Sequence, residues 1–169
     1  MAKYLANNAG QIKEVQPITT SAGAGDASKM AQLDGTGRFD VSLMPVSVAP
    51  EVTVCPSSEN LAAGDWVNLW DNAGTINARK ADATTNAKPA DGFVLAAVTS
   101  PASATVYRLS QTNTARTGMT VGVVAYLSTT AGGMTTTAPS ASGNIVQRLG
   151  KPSTATEVVF DNATYFELV

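Results

Sequence analysis

The chain has no histidine and only one cysteine, Cys55. Without histidine, the ordinary zinc sites and every His-based catalytic triad are excluded. A lone cysteine leaves no intramolecular disulfide. Between Val54 and Pro56 it reads as a small buried apolar residue, with Glu59 the one charged group near enough in sequence to activate it. Charged residues make up only 14% of the 169 positions and aromatics only 6%. No block of like charges occurs: four basic and four acidic side chains cancel in the first 50 residues, and seven against nine in the remainder give the net −2. A nucleic-acid binder needs phosphate-neutralising clusters, so no nucleic-acid partner is expected. Nor does any run approach the ~18 apolar residues of a membrane span, so no membrane partner is expected. The first residues, MAKYLANNAGQIK, lack the apolar centre of a secretory signal, which points to synthesis in the cytoplasm of the producing cell.

What is abundant is small and β-prone: 27 alanines and 21 threonines. From residue 46 onward, short runs of β-branched and aromatic residues alternate with Gly, Pro, Asn and Asp clusters at near-regular spacing. This pattern predicts an all-β fold, a compact barrel or sandwich of about ten short strands, after an extended N-terminal arm. We divide the chain into residues 1–45, arm and hairpin-like connector, and 46–169, the β-domain. In the arm, Asn7-Asn8, Gly10, Pro17 and Thr19 to Gly25 interrupt any periodicity, and few large apolar residues are available to bury. Asp26 to Met30 is expected to form one helical turn capped by Asp26. The Asp34-Gly35-Thr36-Gly37 turn is expected to pair Gln32-Leu33 with Arg38-Phe39.

The densest β-pattern lies between Val121 and Phe160. Expected strands are 123–128, 134–137, 144–149 and 156–160, with Thr129 to Gly133 as the first turn and 150–155 as a loop. Upstream, strands are expected at 46–54, 66–70, 75–80, 92–98 and 105–109, and downstream at 164–169 after an Asn162-Ala163 turn. On the 66–70 strand, Trp66, Asn68 and Trp70 share one face, and Val67 and Leu69 the other. Two tryptophans on one face call for cover, either a core or a subunit contact.

No catalytic pattern emerges. Gly23-Ala24-Gly25-Asp26 lacks the Gly-Lys-Ser/Thr ending of a phosphate loop. Asp34 and Asp40 lack the alternating oxygen ligands of an EF-hand loop, so no metal is expected. Asp65, Asp71, Asp82 and Asp91 all adjoin turn residues, where aspartate is common for backbone reasons alone. The reading is of a non-enzyme without a cofactor.

Several stretches resemble a family. Gly122, Tyr126-Leu127-Ser128, Gly132-Gly133, Thr135 to Thr137, Pro139, Gly143, Gln147 and Gly150 are spaced as in tailed-bacteriophage capsid decoration (cement) proteins and related head or tail fibre β-modules. So are Leu33-Asp34, Gly37, Phe39-Asp40, Ser42-Leu43-Met44-Pro45 and four pieces between 63 and 109: Ala63-Gly64-Asp65, Ala78 to Asp82, Lys88 to Val94 and Thr105-Val106-Tyr107. Together these span roughly residues 26–160. The resemblance implies a virion structural protein that binds the outer surface of the major capsid protein shell and stabilises it without covalent bonds, often as a homotrimer. Its alternative is a fibre or receptor-binding subunit recognising host surface glycans. The apolar side chains expected to contact capsid or sister subunits are Tyr4, Leu5, Ile12, Val15, Ile18, Leu33, Phe39, Leu43 and Met44.

Overall fold

In the computed structural model, residues 3–44, 50–161 and 164–169 are described. The expectations placed on residues 45–49, and on the Asn162-Ala163 turn, lie outside them. The chain divides into two units, Met1–Ala49 and Pro50–Val169. The protein is all-β: the described residues form fourteen short strands in four antiparallel sheets, with two single-turn 3-10 segments at Ala24–Asp26 and Val41–Leu43.

The first unit holds a two-stranded hairpin, β1 (Tyr4–Asn8) and β2 (Gln11–Val15). The expected extended arm is therefore folded back on itself at this point. Ala9 and Gly10 both have positive φ, 53° and 84°, as a tight two-residue reversal requires. The Asn7 side chain accepts from Gly10 N at 2.9 Å. The helical turn expected at 26–30 lies earlier, at Ala24–Asp26. Asp26 does not cap forward; its carboxylate reaches back to Ala22 N at 2.6 Å and sideways to Lys29 Nζ at 2.6 Å. The 32–33 and 38–39 segments form no ladder. Ala31 pairs instead with Ile18 in a parallel bridge, and the Asp34 turn is held by Asp34 N donating to Arg38 O at 2.8 Å.

The second unit is built on a five-stranded sheet. Its members are β3 (Val52–Pro56), β4 (Trp66–Asn72), β5 (Thr75–Lys80), β6 (Gly92–Phe93) and β7 (Ser103–Tyr107), in the order β3-β7-β6-β4-β5. Its edge strands approach at one parallel bridge, Ser57 with Ala78, and the sheet stops short of closing into a barrel. After β8 (Thr112–Asn113) come β9 (Ala125–Leu127), β10 (Met134–Thr135), β11 (Ile145–Gly150), β12 (Pro152–Thr154), β13 (Glu157–Val159) and β14 (Tyr165–Glu167). These make a four-stranded sheet, β10-β9-β11-β14, and a three-stranded one, β12-β13-β8. The stretch 121–160 is thus not one sheet: its last strand leaves β11 to pair with β12 and β8.

Alternation along β4 sets the two cores. Trp66 faces the other two sheets, where it packs with Phe93, Leu127, Ile145, Leu149, Val158 and Phe160. Its ring meets Phe93 edge-on at 5.5 Å and Phe160 at 5.2 Å, geometries that aromatic quadrupoles favour. Val67 faces the opposite way, into a smaller cluster with Cys55, Leu61, Val94 and Val106. Cys55 is buried there and free, and burial pushes its thiol pKa up. Gln147 occupies the first core as a polar exception: it accepts from Ala90 N at 2.7 Å and donates to Ala90 O at 2.8 Å. It thereby satisfies both groups of a backbone that would otherwise be buried unpaired.

Candidate docking surface

The aspartates that sequence reading set aside are all engaged in fastening backbone. Asp71 accepts from Gly74 N at 2.7 Å. Asp91 accepts from Leu69 N at 2.8 Å and Asn68 Nδ2 at 2.9 Å. Asp82 accepts from Thr84 and from Lys88 Nζ. The Glu59 carboxylate likewise holds backbone: its Oε1 accepts from Lys80 N at 2.7 Å. Among the described residues no group of three or more His, Cys, Asp and Glu side chains is placed to hold a metal ion, and no helix is long and apolar enough to cross a membrane.

The N-terminal unit is different in kind. No residue between 3 and 44 whose side chain is described is buried. Leu5 is 74% and Ile12 75% exposed, and Met30, Leu33, Phe39, Val41 and Met44 are exposed as well. The hairpin register explains the first pair. Tyr4 lies opposite Val15 and Leu5 opposite Glu14, so Leu5 and Ile12 share a face with Asn7 and Glu14. Tyr4, Ala6 and Val15 are half-covered on the other side, where Tyr4 Oη accepts from Met30 N at 3.3 Å.

Of the nine expected contact residues, the structure gathers four on the hairpin: Tyr4 and Val15 on one face, Leu5 and Ile12 on the other. Ile18 is tied to the 30–32 segment by Ile18 N to Met30 O and Gln32 N to Ile18 O, both 2.9 Å. Leu33 and Phe39 flank the Asp34 turn, and Leu43 and Met44 end the Val41–Leu43 turn. Met30 and Val41 are further exposed apolar residues of this unit that the sequence does not single out. Each lies beside small or polar residues, so no apolar run marks it in the sequence.

Three carboxylates hold this unit's turns. Asp34 Oδ1 accepts from Thr36 Oγ1 (2.7 Å), Thr36 N (2.8 Å) and Arg38 N (3.0 Å). Asp40 Oδ1 accepts from Ser42 Oγ at 2.6 Å and Ser42 N at 2.9 Å. Asp26 is bonded to Lys29 and Ala22 as above. Hydrogen bonds to the charged form, from Thr36, Ser42 and Lys29 side chains first, hold all three pKa values below the ordinary carboxylate range. The sign follows from linkage. A depressed folded-state value means the fastening is fully present above the free carboxylate's pKa of ~3.9. It is lost as pH falls through the lower, folded-state value. Amide proton shifts of Ala22, Thr36 and Ser42 should therefore titrate below pH ~3.9. Midpoints at or above that value would show that these contacts do not form in solution.

Comparison with protein-family models, with curated proteins and with solved structures finds no match to this chain.

Proposed function

We propose that this is a virion structural protein, a capsid decoration protein that binds the outer surface of the major capsid protein shell and stabilises it by non-covalent contacts. The observation carrying this reading is the N-terminal unit. It exposes Leu5, Ile12, Met30, Leu33, Phe39, Val41 and Met44 and buries nothing of its own among the described side chains. A segment that cannot bury its apolar surface internally is stabilised by doing so against a partner. The hairpin also offers unpaired strand edges for strand addition. A standard interface of about 1,600 Å², repeated over many copies, would supply the binding.

In this reading the second unit, with its two packed cores, is the rigid body that sits on the shell, and copies assemble as trimers at local threefold positions. The protein performs no catalytic turnover; it raises the temperature at which the particle bursts. The resemblance of the 26–160 stretches supports this choice of class.

The test is occupancy. Protein lacking residues 1–25 should keep the circular dichroism and melting of the β-unit yet co-sediment with undecorated shells at a small fraction of the full-length level. Full-strength binding by the truncated protein would overturn the docking role of the hairpin. If intact and stripped particles burst at the same temperature, the cement role falls, and glycan binding by a fibre subunit becomes the reading to test.

A further inference from the structure

The loop after β8 places Arg116 in an unbalanced position. Its Nη2 donates to Gly132 O and stands 4.0 Å from Asp65 Oδ1. Asp65 is itself shared, since Lys80 Nζ lies 3.5 Å from its other oxygen. One carboxylate thus answers two cations. Arg116 Nε is buried and has no partner. Burial pushes the guanidinium pKa down, and Asp65 only partly opposes this. The arginine side chain is nevertheless 21% exposed.

It forms part of the wall of a cavity of about 400 Å³. Thr117 and Thr120 from the same loop, and Thr135 and Thr136 from β10 and its continuation, supply hydroxyls, while Met119 and Met134 supply an apolar side. Among the described residues, no acidic side chain lines it, and Arg116 is the one charged member. Thr135 Oγ1 already accepts from Thr137 N at 3.2 Å, which leaves its O–H to donate outward.

We propose that this cavity binds a carboxylate, with Arg116 as the anchoring cation and the threonine hydroxyls as secondary donors. The carboxylate belongs either to an acidic side chain of a protein partner or to a small free carboxylic acid. A guanidinium fork matches a planar carboxylate in bidentate fashion. A single cation on the cavity wall suits a monoanion. Sites for phosphate usually assemble a run of backbone N–H donors or several cations, and here the cavity presents a single cation. The inference stands apart from the virion reading, because it rests on a cavity in the second unit alone.

The experiment is a nuclear magnetic resonance titration of the full chain in a buffer free of carboxylate and phosphate. Probes are acetate, inorganic phosphate, a blocked glutamyl tripeptide and its glutaminyl counterpart. Acetate and the glutamyl peptide should shift the amides of residues 117–120 and 135–136 saturably, and the glutaminyl peptide should not. Tighter binding of the peptide than of acetate points to a protein partner; equal binding points to a free acid.

Arg116→Met should weaken the interaction by at least about ten-fold, as loss of a charge-assisted pair predicts. Arg116→Lys should fall between. Because Arg116 also touches Gly132, a second variant guards against misfolding. Thr120→Val, at an exposed position on the cavity rim, should keep the native melting temperature and still weaken binding. Absence of saturable shifts in the wild-type chain, phosphate binding more tightly than both carboxylates, or unchanged affinity in a folded Arg116→Met would each overturn the proposal.

Discussion

Trp66→Ala should unfold the second unit or leave it barely stable at ambient temperature. Trp66 is fully buried; its edge contact with Phe93 lies within the five-stranded sheet, and its edge contact with Phe160, in a cluster with Leu127, Ile145, Leu149 and Val158, joins that sheet to the other two. Truncating a buried tryptophan typically costs ~3–5 kcal/mol, against a total of ~5–15 kcal/mol for a domain. One term runs the other way. The Trp66 Nε1 is buried without a partner, so its removal relieves an orphaned donor, which makes Trp66→Phe much milder than the alanine change.

Trp70 is the internal control. It lies on the same side of β4 but is only half-buried, with Nε1 donating to Ser58 Oγ at 3.3 Å and the Arg79 guanidinium 4.8 Å from its ring. A cation–π contact of that kind contributes ~0.5–2 kcal/mol, so Trp70→Ala should remain folded. Urea unfolding followed by circular dichroism separates the two. Equal midpoints for both variants would mean that the ring cluster does not join the sheets. Folded monomers from an oligomeric wild type, seen by sedimentation for Trp70→Ala, would assign that ring to a subunit contact.

The contrast shows what alternation carries and where it ends. Period-two spacing correctly put Trp66, Asn68 and Trp70 on one face, because pleating alone decides that. It did not say how far the covering layer extends, which depends on where β9, β11 and β13 come to rest. The run Gly92 to Val98 reads as a long buried strand, yet only Gly92–Phe93 joins the ladder. Gly92 packs against the Tyr107 carbonyl so closely that a β-carbon would collide with it. Beyond it, Val94 turns to pair with the 64–65 backbone. Composition cannot distinguish a ladder from a turn lined with alanine.

The hairpin at residues 4–15 was missed for the converse reason. Gly10, which reads as an interruption, is half of the Ala9-Gly10 turn, and Asn7-Asn8 close the strand that leads into it. The interval 150–155, which reads as a loop, contains β12. As for the candidate docking residues, exposure is not a local property, so the sequence can nominate Leu5 and Ile12 as apolar but not show them uncovered. The Arg116 cavity left no trace at all in the sequence. Its meaning depends on Asp65, Lys80 and Gly132, which lie between 16 and 51 positions away in the chain.

Gly150→Ala should be the most damaging change of a single hydrogen to a methyl group. At the end of β11 the register with β9 slips: Arg148 lies opposite Tyr126 and Gly150 opposite Ala125. Leu149 is the extra residue of a bulge, and Leu149 and Gly150 are both buried. The bulge bends the strand toward β13, and there Gly150 adopts φ +150° with its backbone against that of Val159. A β-carbon would run into the Val159 carbonyl oxygen and lie 3.2 Å from Val158 Cγ2.

Neither obstacle is the loose end of a flexible side chain, so the joint between the four-stranded and three-stranded sheets must open. Backbone strain of ~1–3 kcal/mol and overpacking of ~1–3 kcal/mol together make a loss on the order of 2–6 kcal/mol. Gly122→Ala separates the two terms. Gly122 also has positive φ, 75°, but nothing lies within 4 Å of its would-be β-carbon, so only the strain applies. Thermal unfolding should place Gly122→Ala slightly below wild type and Gly150→Ala far below both. Coincident melting of the two variants would show that the close approach to Val159 is absent in solution, and that the two sheets are not joined through this bulge.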